Sequence, residues 1–332
     1  MGINSNKIQN PIFLLGSHKS GTSLLRSLLD SYQNFFVVPI EMHFFKYMGY
    51  WVDYSLQSAW PQELSMTEKR EILIQQIKYR NQNSNPYSDS VLPNIFNIAL
   101  FEEYLKRSEL ETSVDLFDAY TGALYYSITG SELPENMRIV EKSVENAEYA
   151  VVLSKMFPSA KFIHIVRNPY STLVALRKSK MRTSYPYLGI IAESLKNSYH
   201  NLYRNKLVLD HYLVIKYEDL LVSTQDTMQK IASFLDIEFM DNLLKPTLLG
   251  KTWGGNSTSD RSFKTVSLTP LHKWREDITN FEIELVNRFL MPAVQEFRYE
   301  ALTPSSSHLT PTFGEKPVNY IKNRFFLKTF NQ

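Results

Sequence analysis

Between a run of four apolar residues, Ile12 to Leu15, and a helical rhythm carried by Leu24, Leu25, Leu28 and Leu29, the chain reads Gly16-Ser17-His18-Lys19-Ser20-Gly21-Thr22-Ser23. Two glycines five positions apart let the backbone turn tightly at the end of a strand. They leave the amide groups of Ser20 to Ser23 unpaired at a helix start, where the helix dipole favours an anion. The chemistry such a loop serves is the holding of phosphate or sulfate. Its spacing is that of a Walker A loop, but that motif continues with Lys and then Ser or Thr. Here Thr22 and Ser23 follow Gly21, and the lysine, Lys19, stands inside the loop. Read alone, the stretch also fits a plain structural turn between strand and helix.

A second candidate for the same kind of ligand is Arg167, directly after the apolar run KFIHIV (161 to 166). In a magnesium-dependent nucleotide hydrolase the comparable strand ends in an acid that holds the metal. A positive charge in that place argues against metal-assisted triphosphate chemistry. An arginine at the carboxyl end of a parallel strand, beside a switch point where ligands collect, can grip a second phosphate through two parallel hydrogen bonds. By itself such an arginine is equally a surface ion-pair partner.

The elements that must position these groups follow from the periodicity. NFFVVP (34 to 39) reads as a short strand ended by Pro39, and RIVEK (138 to 142), KFIHIV (161 to 166) and YLVIKY (212 to 217) read as three more. Helices are expected near 146 to 156, from about 170, at 188 to 206, at 220 to 235 and at 280 to 295. Residues 44 to 132 read as helices and loops rich in Tyr and Phe, with RNQNSNPYSDS (80 to 90) as a polar connection. Strands separated by helices predict an α/β fold: a three-layer, P-loop-type parallel sheet flanked by helices, with a helical insertion at about 44–135 covering the core. A single domain is expected over 1–300. Residues 301–332 are expected to form a C-terminal linker and tail, TPSSSHLTPTFGEKP and then the basic, aromatic NYIKNRFFLKTF. That last segment reads as a strap packed on the domain, the alternative being contact with a membrane or partner. No internal repeat is present.

The 332 residues, 43% of them apolar, suffice to bury a large core, and a formal charge of only +2 excludes a general nucleic-acid binder. With no cysteine, disulfides, thiolate nucleophiles and Cys-based zinc sites are absent together. No charged-then-apolar leader and no run near eighteen apolar residues stand in the sequence, so a cytoplasmic protein without a membrane span is expected.

Four blocks in order, GSHKSGTSLLRSLLD, VVPIEMHFF, EKSVENAEYAVVLSKMFPSAKFIHIVRNP and VIKYEDLL, resemble sulfotransferases that use 3′-phosphoadenosine 5′-phosphosulfate, and in motif layout the protein-tyrosine sulfotransferases and related bacterial enzymes most. The resemblance runs from about Pro11 to Tyr299. It implies that Lys19, Ser20, Gly21, Thr22 and Ser23 hold the 5′-phosphosulfate, that Arg167 holds the 3′-phosphate, and that no metal takes part. Lys142 matches a lysine placed against the sulfate. Glu41 matches the catalytic Glu of the tyrosine enzymes to within one residue of loop length, and His43 completes a Glu-x-His shared with several bacterial relatives. Glu41 and His43 share a face if the segment is extended, and either could accept the proton of an acceptor hydroxyl. In NSTSDRSFKTVSLTPLHKW, the same likeness makes Thr258, Ser259 and Lys264 candidate cofactor contacts. One departure stands out: the family's usual Ser eight residues after the 3′-phosphate Arg is Ala175 here, with Ser171 and Ser179 as possible substitutes.

The function so implied is transfer of a sulfuryl group from 3′-phosphoadenosine 5′-phosphosulfate to an acceptor hydroxyl: a protein tyrosine, or alternatively a glycan, lipid or small molecule. A nucleotide-dependent kinase and a non-enzymatic binding protein on the same scaffold are the competing readings. The sequence sets no oligomeric state.

Overall fold

The structure is a computed structural model that describes residues 8–53, 63–82, 95–181, 187–255, 268 and 271–305. Five parallel strands form its central sheet: β1 (Ile12–Leu15), β2 (Phe35–Val37), β3 (Arg138–Glu141), β4 (Lys161–Val166) and β5 (Tyr212–Lys216), in the order β2-β3-β1-β4-β5. Every residue of β1 is buried, as a central parallel strand covered on both faces requires. Its register sets Ile12 opposite Val140 of β3 and Lys161 of β4. The strand order therefore brings the loop after β1 between the residues that follow β3 and β4, Lys142 on one side and Arg167 on the other.

Alternation along β1 divides the core. Phe13 and Leu15 face the helices of the insertion, α2 (Phe44–Tyr47), α3 (Met66–Gln82), α4 (Ile98–Arg107) and α5 (Ser113–Thr129), and share a cluster with Phe101, Phe117 and Tyr120. Ile12 and Leu14 face the opposite layer and pack with Leu25 and Leu28 of α1 (Thr22–Leu29) and with Leu220 and Ile231. A third cluster joins α7 (Pro169–Lys180), α8 (Leu188–Val208) and α11 (Asn280–Phe289), where the Arg177 Nε donates to the buried Glu282 carboxylate at 2.6 Å. The helix after β3 is α6 (Asn146–Met156).

Several helical expectations need correcting. The single helix expected over 220 to 235 is two, α9 (Tyr217–Val222), which starts directly from β5, and α10 (Thr224–Leu235), separated at Ser223 (φ −127°, ψ 55°). The helix expected over 280 to 295 breaks at Leu290 into α11 and α12 (Met291–Glu296). Pro292 enforces a fresh start there, because proline cannot donate to the preceding turn. Arg80 to Gln82, read as the start of a polar connection, close α3; residues 83–94 lie outside the described residues. A small antiparallel pair, β6 (Thr247–Leu248) and β7 (Lys251–Thr252), was not anticipated; Leu249 and Gly250 turn it with φ of 51° and 72°. Residues 306–332, most of the tail, lie outside the described residues.

Candidate active site

The loop after β1 is held by its own backbone demands. Gly21 is the first capping residue of α1 with φ +106°, and a Cβ there would lie 2.2 Å from the Tyr217 ring. A Cβ on Gly16 would meet the Ser20 hydroxyl at 2.6 Å and the Ile165 carbonyl at 2.7 Å. Only glycine fits either place. Lys19 takes φ +65°, and the Ser20 hydroxyl donates to the Ser17 carbonyl at 2.7 Å. Among the described residues no side chain caps α1 and its first turn carries no acid, which suits an anion at the helix start; the Ser20 amide, expected to be unpaired, donates instead to the Ser17 carbonyl at 3.2 Å.

Arg167 lies against this loop: its Nη1 donates to the Lys19 carbonyl at 2.8 Å, and its guanidinium carbon stands 4.7 Å from the centre of the Tyr217 ring. Burial lowers its pKa from the ordinary arginine range, opposed by Tyr217 and Glu218. The surroundings fix it from behind. The Tyr199 hydroxyl donates to the Arg167 carbonyl at 2.9 Å, Asn168 caps α7, and Glu218 accepts from the Asn168 amide and the Tyr299 hydroxyl, each at 2.9 Å. Of the two serines that could stand in for Ala175, Ser179 donates to the Ala175 carbonyl at 2.9 Å, whereas the buried Ser171 hydroxyl has no hydrogen-bond partner among the described residues.

On the other side of the loop, four titratable groups from two segments meet. The Glu41 carboxylate pairs with the buried Lys142 ammonium through Oε1, and its Oε2 lies 3.2 Å from His43 Nε2. The other imidazole nitrogen, Nδ1, lies 3.1 Å from the fully buried Glu145 carboxylate. Glu41 and His43 are not brought together by an extended segment: His43 has φ +52° and begins α2. Its amide donates to the Ser143 hydroxyl at 3.0 Å, which in turn donates to Glu141. Glu141 also accepts from Asn146 and from the Met42 amide, and burial pushes its carboxyl up to about 7. The segment carrying Glu41 and His43 is thus tied to the end of β3 through backbone groups. Sequence reasoning missed Glu145; the only trace of it is a carboxylate three residues after Lys142.

His18, also missed, belongs to both halves of the site. Desolvation lowers its pKa to about 3; the Glu41 carboxylate opposes this, while Lys180, Lys142 and His43 add to it. The imidazole is neutral at physiological pH. His18, Gly16 and Ser17 line a small cleft whose other walls include Asp53, Val144, Glu148 and the polar face of α8. The structure therefore gathers Lys19 through Ser23 with Arg167, and Glu41 with His43 and Lys142. Thr258, Ser259 and Lys264 lie outside the described residues.

The residues present fit a ligand with two anionic groups: amides at a helix start and Lys19 for one, Arg167 with the unsatisfied Ser171 hydroxyl nearby in sequence for the other. Among the described residues no helix is long and apolar enough to cross a membrane.

Comparison with known proteins supports this architecture. The model of the sulfotransferase family matches residues 11–241. An uncharacterized protein of Aquifex aeolicus is 23% identical over 71% of this chain and 27% of its own length. Protein-tyrosine sulfotransferase A of Caenorhabditis elegans is 24% identical over 55% of this chain and 52% of its own. The chain thus spans about a quarter and about half of these curated relatives. A sulfotransferase domain from the curacin biosynthetic pathway has the same fold, with a TM-score of 0.55 at 20% identity, covering 89% of this chain and 100% of that domain.

Proposed function

Because the chain belongs to the sulfotransferase family, we propose that it transfers a sulfuryl group from 3′-phosphoadenosine 5′-phosphosulfate to an acceptor hydroxyl, without a metal. The observation that carries this reading is the meeting of Glu41, His43 and Lys142 beside a glycine loop whose other flank is Arg167. Lys19 and the amides of Gly21, Thr22 and Ser23 hold the 5′-phosphosulfate, and Arg167 holds the 3′-phosphate. When bound, the donor supplies an electrophilic sulfur: its bond to the bridging oxygen breaks as the acceptor oxygen bonds to it, and the electron pair leaves with adenosine 3′,5′-bisphosphate.

What the chain contributes is charge and a proton acceptor. Lys19, Lys142 and the start of α1 offset the negative charge that grows on the leaving phosphate. Glu41 takes the proton of the acceptor hydroxyl, and His43, set between Glu41 and Glu145, orients that carboxylate and can share the proton. Lys142, paired with Glu41, holds that carboxylate in place until the acceptor arrives. A protein tyrosine is one acceptor that the likeness to a tyrosine sulfotransferase suggests, and glycans, lipids and small hydroxyl compounds are the others.

Titration calorimetry with adenosine 3′,5′-bisphosphate, and with ATP plus magnesium in parallel, tests the donor. Tight binding of the bisphosphate, weak binding of ATP, and a bisphosphate affinity reduced by Arg167→Ala are expected. Preference for magnesium ATP would point to a kinase. Equal bisphosphate affinity in wild type and variant would displace the 3′-phosphate from Arg167.

A further inference from the structure

The turn formed by Glu41, Met42 and His43 has its backbone gripped from two sides. From the sheet, the Met42 amide donates to Glu141 Oε1 at 3.2 Å and the His43 amide donates to the Ser143 hydroxyl at 3.0 Å. Ser143 gives its own hydrogen to Glu141, and Asn146 donates to the second oxygen of that carboxyl. From the insertion, the Tyr120 hydroxyl of α5 donates to the Met42 carbonyl at 3.1 Å, and Arg80 of α3 donates to the Glu41 carbonyl. Glu141 and Tyr120 are both buried, so these contacts are made in a low-dielectric interior where each is strengthened.

We propose that Glu141 and Tyr120 are positioning residues for the reaction: one holds the amide of Met42 and the other its carbonyl, and together they aim the Glu41 carboxylate. The helical insertion is then part of what sets the base, in addition to covering the core. The proposal rests on the sulfuryl-transfer reading given above, with Glu41 as the base.

The backbone shows why a clamp is needed. His43 stands at φ +52° and ψ 37°, a left-handed conformation that a residue with a side chain holds only where its surroundings over-determine it. The contacts to Met42 and His43 supply that constraint. Met42 itself has a fully buried apolar side chain and brings no chemistry of its own, so its peptide groups serve as handles on the residues either side. Desolvation raises the Glu141 carboxyl, and the donors from Ser143, Asn146 and Met42 oppose the rise. A carboxyl whose part is to accept from a backbone amide can be replaced by a carboxamide. The oxygen of Gln would still accept from Met42 and Ser143, and its NH₂ would meet Asn146 once that side chain turns its own oxygen inward. An apolar replacement leaves the Met42 amide without its acceptor. Displacing a reacting group by about 1 Å costs up to about 10²-fold in rate.

The test follows label from radiolabelled 3′-phosphoadenosine 5′-phosphosulfate, supplied to the full chain, into 2-naphthol and an acidic tyrosine-containing peptide, or into free sulfate with water as acceptor where neither is labelled. Wild type, Glu141→Ala, Glu141→Gln, Tyr120→Phe and Glu41→Ala are compared, and affinity for adenosine 3′,5′-bisphosphate is measured on each preparation. Glu141→Ala is expected to lower kcat roughly 10- to 100-fold and Tyr120→Phe roughly three- to tenfold, with donor KM and bisphosphate affinity within about twofold of wild type. Glu141→Gln is expected to recover most of what Glu141→Ala loses. Should Glu141→Ala fail to fold, Tyr120→Phe, which keeps the ring and removes only the hydroxyl, decides the matter. A kcat unaltered in Tyr120→Phe, a Glu141→Gln as slow as Glu141→Ala, or a loss of bisphosphate affinity that matches the loss of kcat overturns the clamp; with Glu41→Ala slow, the sulfuryl-transfer reading still stands. An undiminished rate in Glu41→Ala, or absence of both bisphosphate binding and transfer, overturns the underlying reading and this proposal with it.

Discussion

Glu41 has an ammonium at one carboxylate oxygen and an imidazole at the other, and the far side of that imidazole rests on Glu145. The two ends of this chain of contacts, Lys142 and Glu145, are three positions apart, whereas Glu41 and His43 between them lie about a hundred positions earlier in sequence. The Lys142 ammonium offsets the Glu41 carboxylate directly, and the imidazole links that carboxylate to Glu145. Glu145 acts through His43 as a positioning residue. Glu145→Gln is expected to lower kcat roughly 10- to 100-fold with the acceptor KM and bisphosphate affinity unchanged, read by steady-state kinetics and calorimetry; a rise in KM with kcat preserved would contradict a positioning role. Lys19, Lys142 and Arg167 could be picked out as candidates because each stands inside the glycine loop or directly after a recognisable strand, and Glu41 and His43 through the family resemblance. Glu145 and His18 were not, because their significance lies in which distant groups they face.

At the scale of elements, β3 and the start of α6 bring together three carboxyls withdrawn from solvent: the buried Glu141 and Glu145 and the half-buried Glu148. Glu148 has an ordinary value of 4.5 in the unfolded chain and about 8 in the folded one. Between those limits the folded chain holds a proton that the unfolded chain has released, so its contribution to stability is full below about pH 4.5 and lost as pH rises through about 8. Urea unfolding measured across that range is expected to show a shallower decline for Glu148→Gln than for wild type. Parallel curves would mean that the carboxyl is not held protonated. The five strands were readable from short apolar runs, since buried parallel strands leave a continuous signature. The ends of the helices were less so. The spacing Ser223-Thr224-Gln225-Asp226, a helix-start pattern, and Pro292 were both local signals that apolar periodicity outweighed.

For the molecule as a whole, the insertion and the sheet share one core. Phe13 of β1 lies 5.5 Å from Phe162 of β4 and 6.0 Å from Phe117 of α5, and Phe117 lies 5.2 Å from Phe157, all measured between ring centres. We therefore expect the helices between β2 and β3 to unfold with the sheet. Phe117→Ala is expected to cost about 3–5 kcal/mol and to shift the thermal midpoints by circular dichroism and by fluorescence together. A separate early transition for the helical signal would mean that the insertion is an independent unit. The layered α/β architecture could be read from alternating strand and helix patterns. The shape of the cleft beside the glycine loop could not, because it depends on which stripe of α8 faces α6 and the segment at Asp53.

Central to the account is that Glu41 takes the acceptor proton while a separate set of residues holds the nucleotide. Single-turnover transfer from radiolabelled 3′-phosphoadenosine 5′-phosphosulfate, measured for wild type and Glu41→Ala with bisphosphate affinity determined alongside, tests this most directly. The expected result is a rate lowered by about 10²- to 10⁴-fold with bisphosphate affinity retained. An undiminished rate would remove Glu41 from the role of base, and a lost bisphosphate affinity would place it in the nucleotide site instead.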